Sequence, residues 1–248
     1  MNKIVCFYWL GDRWQETVGP IPVEQAYQNH LKRVGTVSKE LATKYINNLY
    51  ANIRRFSTVS FEFICFTNED LENLTPQIIV KRFHMASSKG VLPRMYMFSV
   101  EAGLMGSQVL ALDLDIIITG SLDNLLNYKG PFCTRKSWTR GEETLLDGDV
   151  MSFRANETME GLLWKPIAHS PKIVEEVTGG RERAWVRHVL KDVSEIDTWD
   201  VVCPGQVCSY KHHVLKLGKV PDNTRIISCH GYPRPHQIED KWRTEYWK

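Results

Sequence analysis

The chain has 248 residues, 43% of them hydrophobic and 24% charged, with a formal net charge of +2. That is the composition of a soluble globular protein long enough to bury a substantial core, and no stretch approaches the roughly 20 apolar residues of a membrane span. A near-balanced charge excludes global basicity as a basis for nucleic-acid binding, so any anion site has to be a local patch.

Residues 4–9 read as a first strand. The apolar run 4–10 is too short for a signal peptide and is followed at once by Asp12 and Arg13, which points to the cytoplasm. The sequons at Asn73 and Asn156 are then accidental. Residues 11–22, with their Gly and Pro pairs, are expected to be a loop. Leu41, Tyr45, Leu49, Ile53 and Phe56 recur at helical spacing, with Ser38 as the N-cap. Strands are expected at 61–66 and 78–83, and a helix at 92–104 with Pro93 in its first turn. A strand carrying two aspartates follows, and a short helix is expected at 122–126. Further strands are expected at 131–134, 150–153 and 225–229, and helices at 162–167 and 182–190. Strands alternating with helices in the first half predict an α/β protein with a mixed, mainly parallel sheet flanked by helices. No repeat or linker divides the chain, so one domain is expected over 1–248. Cys6, Cys65, Cys133 and Cys229 sit in apolar runs as small core residues, and Cys203 and Cys208 flank a Pro-Gly. No zinc spacing appears; reduced thiols are the default, and a single disulfide stays open.

Residues 109–121 read Val-Leu-Ala-Leu-Asp-Leu-Asp-Ile-Ile-Ile-Thr-Gly-Ser, two carboxylates inside an aliphatic run. Such runs belong to strands buried on both faces, and charge is not left buried without a partner. Asp113 and Asp115 are therefore expected where the strand leaves the sheet. Strand alternation would put both on one side and Leu114 on the other. They could cap the following turn, or share a hard divalent cation such as Mg²⁺ or Mn²⁺; two carboxylates so embedded favour the cation.

In such a sheet, ligands bind beyond the carboxyl ends of the strands. Residues 8–14, the two aspartates and the segment His230-Gly-Tyr-Pro-Arg-Pro-His236 should meet there. A neutral imidazole at His230 could complete a cation site. Gly231 allows close backbone approach, and Arg234 offers a fork of donors to phosphate. His236 reads as a stray surface histidine.

These pieces resemble the GT-A glycosyltransferases, in a pattern similar to the retaining glycogenin-like group and closer still to small bacteriophage and bacterial transferases. The resemblance rests on Leu112-Asp113-Leu114-Asp115 and the His230–His236 segment. It extends to residues 3–9, 61–68, 93–98, 149–154 and 204–211. It implies a Rossmann-like single domain. It also implies a nucleotide-diphospho-sugar donor, a UDP-sugar first, and a Mn²⁺ or Mg²⁺ cofactor. Asp113 would contact the donor ribose and reach the metal through water; Asp115 and His230 would be direct metal ligands. Arg94 would touch the nucleotide or diphosphate, Gly231 and Arg234 would hold the diphosphate, and Tyr8 and Trp9 would line the nucleobase pocket or else pack in the core. Two segments depart from the pattern. Arg181-Glu-Arg-Ala-Trp185 keeps Glu182 at the first acidic position and lacks the second, and Asp147-Gly-Asp149 stands where relatives carry Asn and Ser.

A retaining reaction would let the leaving phosphate take the acceptor proton. An inverting one would need a carboxylate base, with Glu182, Asp147 and Asp149 as candidates; Asp115, Glu182 and Asp149 are thus the candidate catalytic carboxylates. The resemblance to phage enzymes makes DNA with hydroxymethylated pyrimidines the first acceptor to consider, in host cytoplasm if the source is a phage. Basic clusters at Arg54-Arg55, Arg135-Lys136 with Trp138 and Arg140, Arg181 with Arg183 and Arg187, and Lys211-His-His213 could contact its phosphates. A glycan, a lipid-linked sugar or a protein side chain are the rival acceptors. An inactive nucleotide-sugar-binding module and a paired-aspartate nuclease or phosphatase are the rival functions.

Overall fold

The computed structural model describes residues 2–10, 37–85, 90–138, 146–191, 193 and 196–247. The expected loop at 11–22 and Arg140 lie outside them. A seven-stranded sheet runs in the order β3-β2-β1-β4-β7-β6-β8. Its strands are β1 (Asn2–Tyr8), β2 (Phe61–Thr67), β3 (Ile79–Lys81), β4 (Gln108–Leu112), β6 (Phe132–Lys136), β7 (Leu146–Arg154) and β8 (Asp197–Thr198). Every neighbouring pair is parallel except those made by β7, which runs against both β4 and β6. A three-stranded sheet, β5-β10-β9, stands beside it, built from β5 (Ile116–Ile118), β9 (Val207–Ser209) and β10 (Ile226–Ser228). The mixed, mainly parallel α/β sheet flanked by helices agrees with the expectation.

The aliphatic strands at the centre are buried on both faces. On one face Ile4, Cys6, Phe63, Leu110 and Leu112 pack with helix α1 (Lys39–Phe56). The Ser38 hydroxyl accepts the Leu41 amide at 3.1 Å and caps α1. From there Ala42, Tyr45, Ile46, Leu49 and Ile53 turn inward at the predicted spacing. On the other face Val5, Phe7, Val109, Met151 and Phe153 pack against residues 92–104 and a helical layer. That layer holds α3 (Pro171–Thr178) and α4 (Glu182–Leu190); the short α2 (Asp123–Leu126) belongs to the first face. Each fully buried Leu, Ile or Phe here is worth about 1.5–3 kcal/mol.

Several expected elements differ. The helix expected at 92–104 is two 3₁₀ turns, Leu92–Phe98 and Val100–Ala102. Ser99 breaks it: its backbone is extended, and its hydroxyl accepts the Ala102 amide at 3.1 Å to start the second turn. β7 begins four residues before the expected 150, because its first half is polar and pairs through Arg135↔Asp147. The expected strand through both aspartates is two strands in two sheets. β4 ends at Leu112, β5 starts at Ile116, and residues 113–115 make the turn between them. The alternation argument therefore does not apply, and the two carboxylates find separate partners. All six cysteines are buried thiols. No helix among the described residues is long and apolar enough to cross a membrane.

Candidate active site

The turn at 113–115 sits where the two sheets meet. The Asp113 amide donates to Asp149 O at 2.9 Å, continuing the β4–β7 ladder, and the Cys229 amide donates to Asp115 O at 2.9 Å, continuing β5–β10. This backbone pairing sets Asp113 beside β7 and Asp115 beside the end of β10, where His230 begins the last loop.

Asp113 is reached by Arg94. The 3₁₀ turn Leu92–Phe98 buries Arg94 to 5% exposure. Its Nη1 lies 2.7 Å from Asp113 Oδ1, 3.0 Å from Glu182 Oε2 and 2.9 Å from Gly148 O. One nitrogen serves all three groups, while Nη2 is buried with no protein partner. Glu182, the first residue of α4, is itself buried. Burial pushes its carboxyl up to about 7; the Arg94 cation pulls it down and the Asp113 charge adds to the rise. Asp113 is raised as well, by desolvation in its recess and by the Asp149 charge, against Arg94 and Arg234.

A second guanidinium holds the β6–β7 edge. Arg135 Nε donates to Asp149 Oδ1 at 2.6 Å and Nη2 lies 3.1 Å from Asp147 Oδ2; the guanidinium also covers the Trp138 ring, 3.6 Å from its centroid. The Ser228 hydroxyl of β10 donates to the other Asp149 oxygen. Both Asp149 oxygens are therefore engaged in a buried setting. Burial opposes its charge, but Arg135 and Ser228 more than offset this and hold Asp149 below its ordinary range. Arg135, expected as a phosphate contact for DNA, is a structural cation with 3% exposure and has no arm to offer.

On the other side of the turn, Arg234 Nη1 contacts Asp115 Oδ2. His230 Nε2 is 2.9 Å from Ser209 Oγ, and its ring lies between those of Trp138 and His212, each 5.7 Å away. Burial, with Lys211, Arg135 and His212 as cationic neighbours, pushes this imidazole down to about 4 despite Asp149. It is neutral at physiological pH. Gly231 has φ +77°, and a Cβ there would stand 2.9 Å from Lys211 Nζ. Tyr8 and Trp9, expected either at a nucleobase pocket or packed in the core, are both buried. Tyr8 is 1% exposed with its hydroxyl donating to Val37 O, and Trp9 is 4% exposed and stands edge-on to Phe83.

Among the described residues no three His, Cys, Asp or Glu side chains converge as a ligand set for a metal. Asp113, Asp115 and His230 are neighbours, but each faces another group. The donor types nevertheless suit a divalent cation: two carboxylates on the 113–115 turn and a neutral imidazole at the start of the loop after β10. The charge count agrees. Among the described residues, Asp113, Asp115, Asp147, Asp149 and Glu182 form their ion pairs with Arg94, Arg135 and Arg234, five acids to three cations, a surplus of two negative charges. Such a surplus is answered by protons, as at Glu182, or by a cation.

Sequence reasoning named Arg135 only as a phosphate contact and gave Ser209, Ser228 and Gly148 no role of their own in the site. The Arg135–Asp147–Asp149 grouping had a signal in opposite charges on neighbouring antiparallel strands. Ser228, a lone hydroxyl in an apolar run, had a weaker one. Gly148 had none: its missing Cβ, which would stand 2.6 Å from Glu182 Oε1, matters only once α4 is in place.

No family model and no curated protein matches this sequence. Among solved structures, LgtC superposes with a TM-score of 0.62 at 11% identity, over 98% of this chain and 94% of its own. The galactosyltransferase LgtC with donor and acceptor sugar analogues gives 0.60 at 11%, with the same coverage. The glycosyltransferase GlyE of Streptococcus pneumoniae TIGR4 gives 0.58 at 14%, over 99% of this chain but 59% of GlyE. This chain thus spans about three-fifths of GlyE and nearly all of LgtC. Its fold is that of the GT-A glycosyltransferases. At such identities the likeness fixes the fold; the roles of individual residues rest on the geometry above.

Proposed function

We propose that this chain is a glycosyltransferase that moves a sugar from a nucleotide-diphospho-sugar, a UDP-sugar first, to an acceptor hydroxyl. The observation that carries this reading is the cluster of five acids and three arginines where the 113–115 turn of a GT-A fold meets the His230 loop. Asp115 and His230 hold Mn²⁺ or Mg²⁺ in this reading, with Asp113 behind them. The cation, when bound, neutralises charge that develops on the diphosphate leaving group. Arg234 exchanges Asp115 for the diphosphate, to which it presents a bidentate fork, and Gly231 lets the backbone approach. Arg94 keeps Nη2 free for a polar group of the donor.

The carboxylates that could act as an inverting base are all engaged: Asp149 by Arg135 and Ser228, Asp147 by Arg135, Glu182 by Arg94. This favours retention, with the leaving phosphate accepting the acceptor proton. For the acceptor we take hydroxymethylated DNA. Arg183, exposed, follows Glu182 on α4, and Lys211 stands beside Gly231, two positive charges next to residues of the proposed site.

A panel of nucleotide-sugars should be screened for slow hydrolysis with Mn²⁺, with and without chelator. Hydrolysis of one donor, lost in chelator, is expected. If no donor is hydrolysed and no nucleoside diphosphate binds, the transferase reading is wrong. Full turnover in chelator would remove the metal and leave the rest. Labelled donor should then be offered with hydroxymethylated duplex, unmodified duplex and simple sugars. Binding to the modified duplex should weaken with salt, with a log–log slope of roughly −0.9 per phosphate contacted. Label on a sugar, with no DNA binding at low salt, would overturn the DNA acceptor alone.

A further inference from the structure

His236, which the sequence marks as a stray surface histidine, is tied into the molecule. Its Nδ1 is 2.6 Å from the hydroxyl of Tyr45, in the middle of α1. Tyr45 is 2% exposed, and its ring meets Trp247 edge-on at 5.3 Å. Burial keeps it in the phenol form, with the nearby Arg234 cation opposing. His236 is kept neutral by its own burial and by Arg234, Arg243 and Lys44. With both groups neutral, the two share one hydrogen bond whose direction is set by the imidazole tautomer.

His236 is two residues beyond Arg234, across a buried Pro235. Arg234 is closed from the other direction by a reciprocal pair: its amide donates to Gln237 Oε1 at 2.9 Å, and the Gln237 amide donates to Arg234 O at 2.8 Å. A single 3₁₀ turn of three residues therefore carries the guanidinium. That turn is fastened to α1 through one part-buried side-chain hydrogen bond.

We propose that Tyr45 and His236 are a positioning pair that sets where the Arg234 guanidinium stands, and so sets affinity for the diphosphate of the donor. The inference rests on the reading of Arg234 as the diphosphate clamp. The pair itself touches neither donor nor acceptor. A clamp on a proline-flanked loop needs such an anchor, because a displacement of about 1 Å costs a polar contact most of its worth.

The experiment compares UDP with UMP, since only UDP offers the diphosphate, by calorimetry on wild type, Tyr45→Phe, His236→Leu, His236→Asn, Arg234→Ala and the double variant Tyr45→Phe/Arg234→Ala, with Mn²⁺ present. Tyr45→Phe and His236→Leu should weaken UDP binding by about 3- to 10-fold, the worth of one hydrogen bond. UMP binding should stay unchanged. His236→Asn places an amide oxygen near the lost Nδ1 and should recover part of the loss. In the Arg234→Ala background, Tyr45→Phe should add nothing further. Unchanged UDP affinity in Arg234→Ala would sink the clamp, and the positioning pair with it. A loss in Arg234→Ala together with no loss in Tyr45→Phe, equal losses for UDP and UMP, or a full additional loss in the double variant would overturn the positioning role and leave the clamp standing.

Discussion

Arg94 and Arg234 each answer one of the two aspartates at the 113–115 turn, in very different surroundings. Arg94 rises from a turn whose seven residues are all buried, and its Nη1 is shared among Asp113, Glu182 and Gly148 O. The neighbouring Arg135, Asp149 and Ser228 extend this inner half into a buried network that joins both sheets. Arg234 stands on a short turn near the C-terminus, with Asp115 as its one carboxylate contact and a side chain 20% exposed. The inner half is locked by many partners at once. The outer half is held by single bonds that a ligand could replace. In the proposed reading, such a site keeps its inner acids in place while Arg234 exchanges its carboxylate for phosphate.

The sharpest way to break that contrast is to remove each arginine. Arg94→Ala leaves the buried Glu182 carboxyl, and Asp113 beside it, without their cation, and should destabilise the fold by about 3–5 kcal/mol. Arg234→Ala uncovers only Asp115, whose side chain is 12% exposed, and should cost about 1–3 kcal/mol, the worth of one charge-assisted contact. Denaturant midpoints measured side by side check this. Equal losses would mean that the two halves are not built differently.

The next effect concerns turnover. Asp115→Ala should keep the fold and lower donor hydrolysis by about 100-fold or more, since even outer-shell partners of a bound metal are worth 10- to 100-fold. A variant with full turnover would place the cation elsewhere.

How far the sequence disclosed all this follows the same division. The aliphatic strands, the capped α1 and the alternation of elements were legible, because hydrophobic period and capping are local. So were Asp113, Asp115, His230 and Arg234, because charge and glycine inside apolar or proline-rich runs stand out. The 3₁₀ break at Ser99 was not: a single hydroxyl choosing a local acceptor over a helix leaves no periodic trace. Nor was the split of β4 from β5, since aliphatic runs on either side of two aspartates look the same in one sheet or two. The inner network stayed hidden because its members are far apart in sequence and each has an ordinary local role. Arg135 looks like any basic strand-end residue until Asp149 lies beside it, and Tyr45 like any core residue until His236 does.

Two glycines test how much slack each half has. At Gly148 an added Cβ would stand 2.6 Å from a Glu182 oxygen that Arg94 already holds. Gly148→Ala should therefore cost about 1–3 kcal/mol as an overpacked site, and should disturb Arg94 as well. At Gly231 the close atom is the tip of Lys211, which can swing away, so the remaining cost of Gly231→Ala is the left-handed backbone, about 1–2 kcal/mol. Thermal denaturation separates the two when Lys211→Ala is added. It should relieve nothing at Gly231 beyond a small contact, whereas Glu182→Ala should relieve most of the strain at Gly148. A Gly148 variant that Glu182→Ala does not relieve would show that the inner half has room to give.

The smallest effect is the most direct measure of the surplus charge. Glu182 has its carboxyl raised to about 7 in the folded chain, from an ordinary value of 4.5. Between those two values the folded state holds a proton that the unfolded state has lost. Its contribution to stability is therefore full below about pH 4.5 and disappears as pH rises through about 7. Glu182→Gln keeps the shape and abolishes the titration. The melting temperature of the variant relative to wild type should thus climb from pH 5 to pH 8, by about 2–4 °C for roughly 1 kcal/mol in a chain of this size. Mn²⁺ should move the wild-type slope to lower pH, since a cation at Asp115 and His230 supplies the charge that the proton supplied. In Glu182→Gln the same addition should leave the slope where it was. If wild type and variant run parallel from pH 5 to pH 8, with and without Mn²⁺, Glu182 does not carry the surplus, and the two halves of the cleft do not share one charge balance.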